Sequence, residues 1–270
     1  MSQEYTQIIE SASAIAKLVG SFILNERKDF STEKVEIKGR NDMVSYVDKT
    51  SEQMLIEGLS KLIPECAFLA EESTVAYKMD AEYTWIIDPL DGTTNFIHGL
   101  PVFSTSIGLL HHDQLVGGIV YEINRDELFS ATLGQGAFLN GRPIHVTNTP
   151  TVLDSLICTG FPVQDFSHLD EYLAIIRDLV QHSHGLRRVG SAATDLAYVA
   201  CGRYDAFFEY NLNPWDVAAG ILLVKEAGGT VTDFSGESNA LFGRQILAGG
   251  QNHQELLTVI KKHWRPSGAA

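Results

Sequence analysis

The chain has 270 residues, of which 44% are hydrophobic and 20% charged, a balance that suits a folded globular protein and excludes a disordered one. Its net charge of −14 argues against general binding to nucleic acid or an anionic membrane, and requires that an anionic substrate be recruited by local metals or arginines. Three separated cysteines, Cys66, Cys158 and Cys201, show no metal-ligand spacing and point to reduced, core-filling thiols in a cytoplasmic protein. The polar, acidic start lacks a targeting pattern, and no apolar stretch is expected to approach the ~18 residues a membrane-spanning helix needs.

Ile8, Ile9, Ala12, Ile15, Ala16, Val19, Phe22 and Ile23 recur at helical spacing and predict a long amphipathic first helix. Its opposite face has no basic cluster, so packing against the body of the protein is favoured over a membrane surface. Residues 29–42, with Lys34, Lys38, Gly39, Arg40 and Asn41, read as a loop or weak hairpin. A second helix follows Asp48 and runs to near Pro64, with Met54, Leu55, Leu59 and Leu62 apolar. Ala67-Phe68-Leu69-Ala70 is a short strand running into Glu71-Glu72-Ser73.

The centre of the chain is Trp85-Ile86-Ile87-Asp88-Pro89-Leu90-Asp91-Gly92-Thr93-Thr94-Asn95-Phe96. A buried strand ends in two acids separated by a turn-forming proline. The Gly-Thr-Thr-Asn run then marks a helix start, where amides and dipole favour an anion. Carboxylates beside an anion repel it unless cations intervene, which points to hard metals, Mg²⁺ first.

Residues 104–137 alternate as an antiparallel meander, with turns at 111–114 and 124–126. His111-His112 reads as a surface turn in preference to zinc ligands. Asn140-Gly141 predicts a type I′ hairpin. At residues 143–150 the pattern changes to a strand at 155–159, a turn at Gly160-Phe161-Pro162, and a helix at 169–179. Arg187-Arg188 precede a helix running to about Cys201, and a strand covers 205–209. Pro214 and Asp216 open a further helix closed by Gly228-Gly229, in which Asp216 would serve equally as a cap. The tail after Arg265 reads as disordered.

The octapeptide Asp88–Asn95 (residues 88–95) resembles the signature of the inositol monophosphatase family, Mg²⁺-dependent and Li⁺-sensitive phosphatases. Trp215-Asp216-Val217-Ala218-Ala219-Gly220, followed by Glu226-Ala227-Gly228-Gly229, resembles the family's second signature. The resemblance implies an α+β fold, a layered αβαβα sandwich of the inositol monophosphatase/fructose-1,6-bisphosphatase type. It would form one catalytic unit, with an N-terminal lobe over 1–145 and a C-terminal α/β lobe over 146–270 completing the site. It also implies a homodimer that hydrolyses myo-inositol monophosphate.

By the same resemblance, Glu71, Asp88, the Leu90 carbonyl, Asp91 and Asp216 hold two or three Mg²⁺, with Asp88 bridging. These are all oxygen donors, as Mg²⁺ prefers. Thr93, paired with Asp48, and Glu71 orient the attacking water, and the amides of Gly92, Thr93 and Thr94 hold the phosphate. Glu209 bonds a substrate hydroxyl, Ala192 forms a substrate wall, and Arg187 lies near the substrate, with Arg188 an equal candidate. Taken alone, Asp48 is as well read as an ordinary helix N-terminal acid. A covalent aspartyl phosphate needs acids spaced i, i+2, whereas Asp88 and Asp91 are i, i+3, so direct attack by water is favoured. The same metal core serves relatives that hydrolyse fructose 1,6-bisphosphate, histidinol phosphate or phosphoadenosine phosphate, and some bacterial relatives act in transcription complexes.

Overall fold

A computed structural model describes residues 2–30, 35–39, 42–72, 81–163 and 165–265. Ser73, Lys34, Arg40, Asn41 and the tail beyond Arg265 lie outside them. Helix α1 (Ser2–Lys28) is followed by the hairpin β1 (Val35–Gly39) and β2 (Asp42–Ser45), then α2 (Tyr46–Leu59) and β3 (Ala67–Ala70). Strand β4 (Tyr83–Asp91) leads into the short α3 (Thr93–His98), and a meander follows: β5 (Ser104–His111), β6 (Gln114–Glu122), β7 (Glu127–Thr132), β8 (Ala137–Leu139) and β9 (Arg142–Ile144). The remainder is β10 (Leu156–Thr159), α4 (Leu169–His182), β11 (Gly185–Arg187), α5 (Ala192–Ala200), β12 (Ala206–Tyr210), α6 (Pro214–Glu226), β13 (Thr230–Thr232), β14 (Gln245–Gly249) and α7 (His253–His263).

Seven strands form one sheet in chain order, β3 to β9, antiparallel throughout except for the parallel β3–β4 pair. A second, mixed sheet runs β11-β10-β12-β14-β13. Five layers result, because each apolar helix stripe must bury itself against a sheet. On the outside of the large sheet, Ala12, Ala16, Val19 and Ile23 of α1 and Leu55 and Leu59 of α2 pack on Trp85, Ile107 and Ile119. Between the sheets, Leu196 and Val199 of α5 and Val217 and Leu223 of α6 meet Val120 and Phe129 on one side and Phe207 and Ile246 on the other. Tyr172 and Ile175 of α4 and Leu256 and Ile260 of α7 cover the far face over Phe208 and Leu247. This is the αβαβα sandwich.

By length and composition α1 is long and apolar enough to cross a membrane, against the sequence expectation that no stretch would approach this. Its Ala12, Ala16 and Ile23 are nevertheless wholly buried against the large sheet and α2. The Asn140-Gly141 hairpin forms as expected, with φ of 48° and 75° at its two central residues. Helix α2 ends at Leu59, short of Pro64, and a turn takes the chain onward. The sequence patterning assigns no element after Gly229, where β13, β14 and α7 lie. Strand β14 is buried on both faces, which erases the alternation that marks a half-exposed strand.

The middle helix α6 sits directly on the large sheet. A Cβ added at Gly118 of β6 would lie 2.7 Å from the Ala219 carbonyl oxygen, a backbone atom that cannot rotate away. Gly118→Val is therefore expected to destabilise the fold by about 1–3 kcal/mol through overpacking, read from urea unfolding midpoints.

Candidate active site

Strand β4 ends at the site because its alternation is broken there. Asp88 pairs with Ser106 and Asp91 with Ser104, so three steps on β4 oppose two on β5. That bulge re-aims the strand, and residues three apart, which would face opposite sides of a regular strand, both reach one cavity. Gly92 then takes φ 96°, a left-handed conformation that favours glycine, and caps α3. The cavity of about 410 Å³ is lined by Glu71, Asp88, Leu90, Asp91, Gly92, Thr93, Thr94, Ala192, Glu209 and Asp216, which brings together most of the residues singled out in the sequence.

Each acid is held by its own donors. Asp91 Oδ2 accepts from Ser191 Oγ and the Ala193 N–H, both at 2.7 Å, so the start of α5 grips the end of β4. Asp216 Oδ2 accepts from the Asn213 N–H at 2.7 Å, closing the capping box of α6. Asp88 Oδ1 accepts from the Leu90 N–H at 2.9 Å. Asp48 stands behind the cavity wall: Oδ2 accepts from Ser45 N and Oγ, and Oδ1 from Thr93 Oγ1 at 2.9 Å. Thr93 Oγ1 also lies 3.0 Å from the Leu90 carbonyl oxygen. Asp216 caps its helix and faces the site in one arrangement, whereas Asp48 caps α2 and reaches the site through Thr93.

Arg187 does not line the cavity, correcting its expected place near the substrate. Its Nη1 turns back to the Leu186 carbonyl oxygen, because the strand that carries it points this side chain outward. Arg188 lines the wall instead, with its guanidinium 5.6 Å from the Phe161 ring centre. Asp195 also lines it, 1% exposed and with Oδ1 unpartnered, and no local motif marks it in the sequence. Glu209 is buried against Gly160, where a Cβ would come within 2.0 Å of the carboxylate. The expected turn at Gly160-Phe161-Pro162 thus has a steric reason for its glycine.

Burial pushes the Asp88 carboxyl well up, and Glu71, Asp91 and Asp216 add repulsion. Burial, then Asp216, does the same to Glu71. Asp216 is pushed up to about 7 by burial and by Asp91, and Asp91 to about 6 by burial against the pull of Ser191. Four carboxyl groups and a carbonyl, all hard oxygen donors crowded into one cavity, fit Mg²⁺.

A model of the inositol monophosphatase family matches residues 4–265. The chain belongs to the inositol monophosphatase family. Two related members are Nus factor SuhB of Pseudomonas aeruginosa, 42% identical over 265 residues (96% of this chain and 98% of that one), and inositol-1-monophosphatase of Mesorhizobium japonicum, 42% identical over 230 residues (85% and 86%). The crystal structure of extragenic suppressor protein suhB from Bartonella henselae superposes with a TM-score of 0.89 at 39% identity, covering 96% of this chain and 99% of that one. Both signatures of the family, around Asp88 and around Asp216, meet in the cavity.

The raised carboxyls set a pH dependence. Asp91 and Asp216 would release their protons near 3.8 when unfolded but hold them to about 6 and 7 when folded. Between these values the folded state binds more protons, so stability of the metal-stripped protein falls as pH rises from 4 to 7. Thermal melts in chelator are expected to show that fall, and added Mg²⁺ to raise Tm most at the upper end.

Proposed function

We propose that the protein is a Mg²⁺-dependent phosphatase that hydrolyses the monophosphate ester of a small polyol, myo-inositol monophosphate above others. The observation that carries this reading is the convergence of Glu71, Asp88, Asp91, Asp216 and the Leu90 carbonyl beside the first turn of α3 in one cavity. Two or three Mg²⁺ held by these five groups would supply Lewis acidity at the phosphoryl group and at the leaving oxygen.

The chain's own residues do the rest. Asp88, whose carboxyl is repelled by Glu71, Asp91 and Asp216 alike, sits centrally enough to bridge. The first-turn amides at Gly92, Thr93 and Thr94 lack acceptors within the helix and are free to bind phosphate oxygens. Asp48, already fixed by Ser45, accepts a hydrogen bond from the Thr93 hydroxyl, which leaves the Thr93 lone pairs to accept from a water and orient it with Glu71. On the opposite wall Glu209 accepts from a substrate hydroxyl, Ala192 leaves room for the ring, and Arg188 takes the position first given to Arg187.

Among the described lining residues Arg188 is the one cationic side chain, which favours a single phosphate over the bisphosphates that some family members cleave. Water attack is favoured over an aspartyl phosphate because Asp88 and Asp91 are three residues apart and both committed to the acidic cluster. The reading extends to Li⁺ inhibition, a homodimer and a cytoplasmic location. A second role, in transcription assemblies, is supported by the naming of the 42%-identical Pseudomonas aeruginosa relative as a Nus factor and is compatible with catalysis.

Phosphate release is expected with Mg²⁺ and absent in chelator, with the highest kcat/KM for myo-inositol 1-phosphate among a panel that includes fructose 1,6-bisphosphate, histidinol phosphate and phosphoadenosine phosphate. Asp88→Asn is expected to abolish turnover without altering circular dichroism, and Thr93→Ala to lower kcat about a hundredfold. Turnover independent of Mg²⁺, or a near-normal kcat for Asp88→Asn, would refute the assignment.

A further inference from the structure

The start of β4 and the β5–β6 turn meet at the end of the large sheet remote from the cavity, since Tyr83 pairs with His111 where Asp91 pairs with Ser104. Glu82, His111 and His112 converge there, with one ligand atom of each lying within 4.8 Å of the others. Donors bound ~2.1 Å from one zinc ion lie at most ~4.2 Å apart, so small side-chain rotations would close the set.

The backbone and the neighbouring rings hold the cluster. The His112 N–H donates to the Glu82 carbonyl oxygen at 2.7 Å, and His112 takes a φ of 51°. The His111 and His112 rings stack 4.7 Å apart, and Tyr83 stacks on His111 at 4.4 Å. His111 Nε2 lies 3.3 Å from Glu82 Oε1, and Nδ1 lies 2.6 Å from the Tyr5 hydroxyl. An oxygen partner on the second ring nitrogen is what fixes the tautomer of a metal-binding histidine. In the tautomer with Nδ1–H donating to Tyr5, the Nε2 lone pair faces the Glu82 carboxylate and the two can share a cation; in the other, Tyr5 donates to Nδ1 and Nε2–H donates to Glu82 Oε1.

We propose that Glu82, His111 and His112 form a second metal site, for Zn²⁺ or a similar borderline cation, separate from the acidic cage. Two imidazoles and one carboxylate select such ions over Mg²⁺, and three protein ligands leave a fourth position for water. The bound ion joins the residue before β4 to the β5–β6 turn, with Tyr5 of α1 bracing His111 from behind. The His111-His112 pair reads as a plain turn in the sequence because Glu82 is 29 residues away and arrives only through sheet register. The site does not depend on the phosphatase reading.

Isothermal titration of Zn²⁺ in excess Mg²⁺ tests it, using Asp88→Asn protein so that the catalytic cage is impaired. One Zn²⁺ per chain at micromolar affinity is expected, weakened at least about tenfold when His112→Asn is added. Asparagine is chosen because it tolerates the left-handed backbone there. No zinc binding, or binding that survives His112→Asn unchanged, overturns the proposal.

Discussion

The structure depends on the crowding of four carboxyl groups where β4 runs out. Removing even one charge from water without a partner costs several kcal/mol, so Glu71, Asp88, Asp91 and Asp216 cannot share a wall by chance packing. Their raised proton affinities record that conflict. Local donors relieve part of it: Ser191 and Ala193 hold Asp91, and Asn213 holds Asp216. The divalent cations of the proposed function would relieve the remainder, which would tie the stability of the cavity to its chemistry.

The five-layer fold supplies the crowding. Asp88 and Asp91 come from the large sheet, whereas Asp216 opens the helix layer between the sheets and Glu209 ends a strand of the second. Asn95 adds a cross-tie, its Nδ2 donating to the Val102 and Val189 carbonyl oxygens at 2.7 and 2.8 Å. The close seat of α6 on β6 at Gly118 positions the helix whose first turn carries Asp216. Packing away from the chemistry thus helps to place this acid.

Much of this was legible in the sequence because chemistry-bearing residues sit in contiguous motifs. The Asp88–Asn95 stretch (residues 88–95) and the segment after Trp215 are each readable locally, and helical spacing marks α1 plainly. What was hidden depends on the fold. The family resemblance leaves Arg187 and Arg188 equal candidates, and only the outward turn of β11 separates them. Asp195 looks like one more polar residue of an apolar helix until the helix is placed against the cavity. The bulge that lets Asp88 and Asp91 face the same way is a property of β5 as much as of β4. Strands β12 and β14, buried on both faces, show no period-2 signal; the sequence marks a strand over 205–209 and none at β14.

The most direct measurement is anomalous diffraction from crystals soaked in Mn²⁺, an oxygen-preferring stand-in for Mg²⁺. At least two peaks are expected in the cavity, with Asp88 touching both and Glu71, Asp91, Asp216 and the Leu90 carbonyl completing their coordination. A cavity without manganese, or ions that bind there without touching Asp88, would contradict a bridged carboxylate cage.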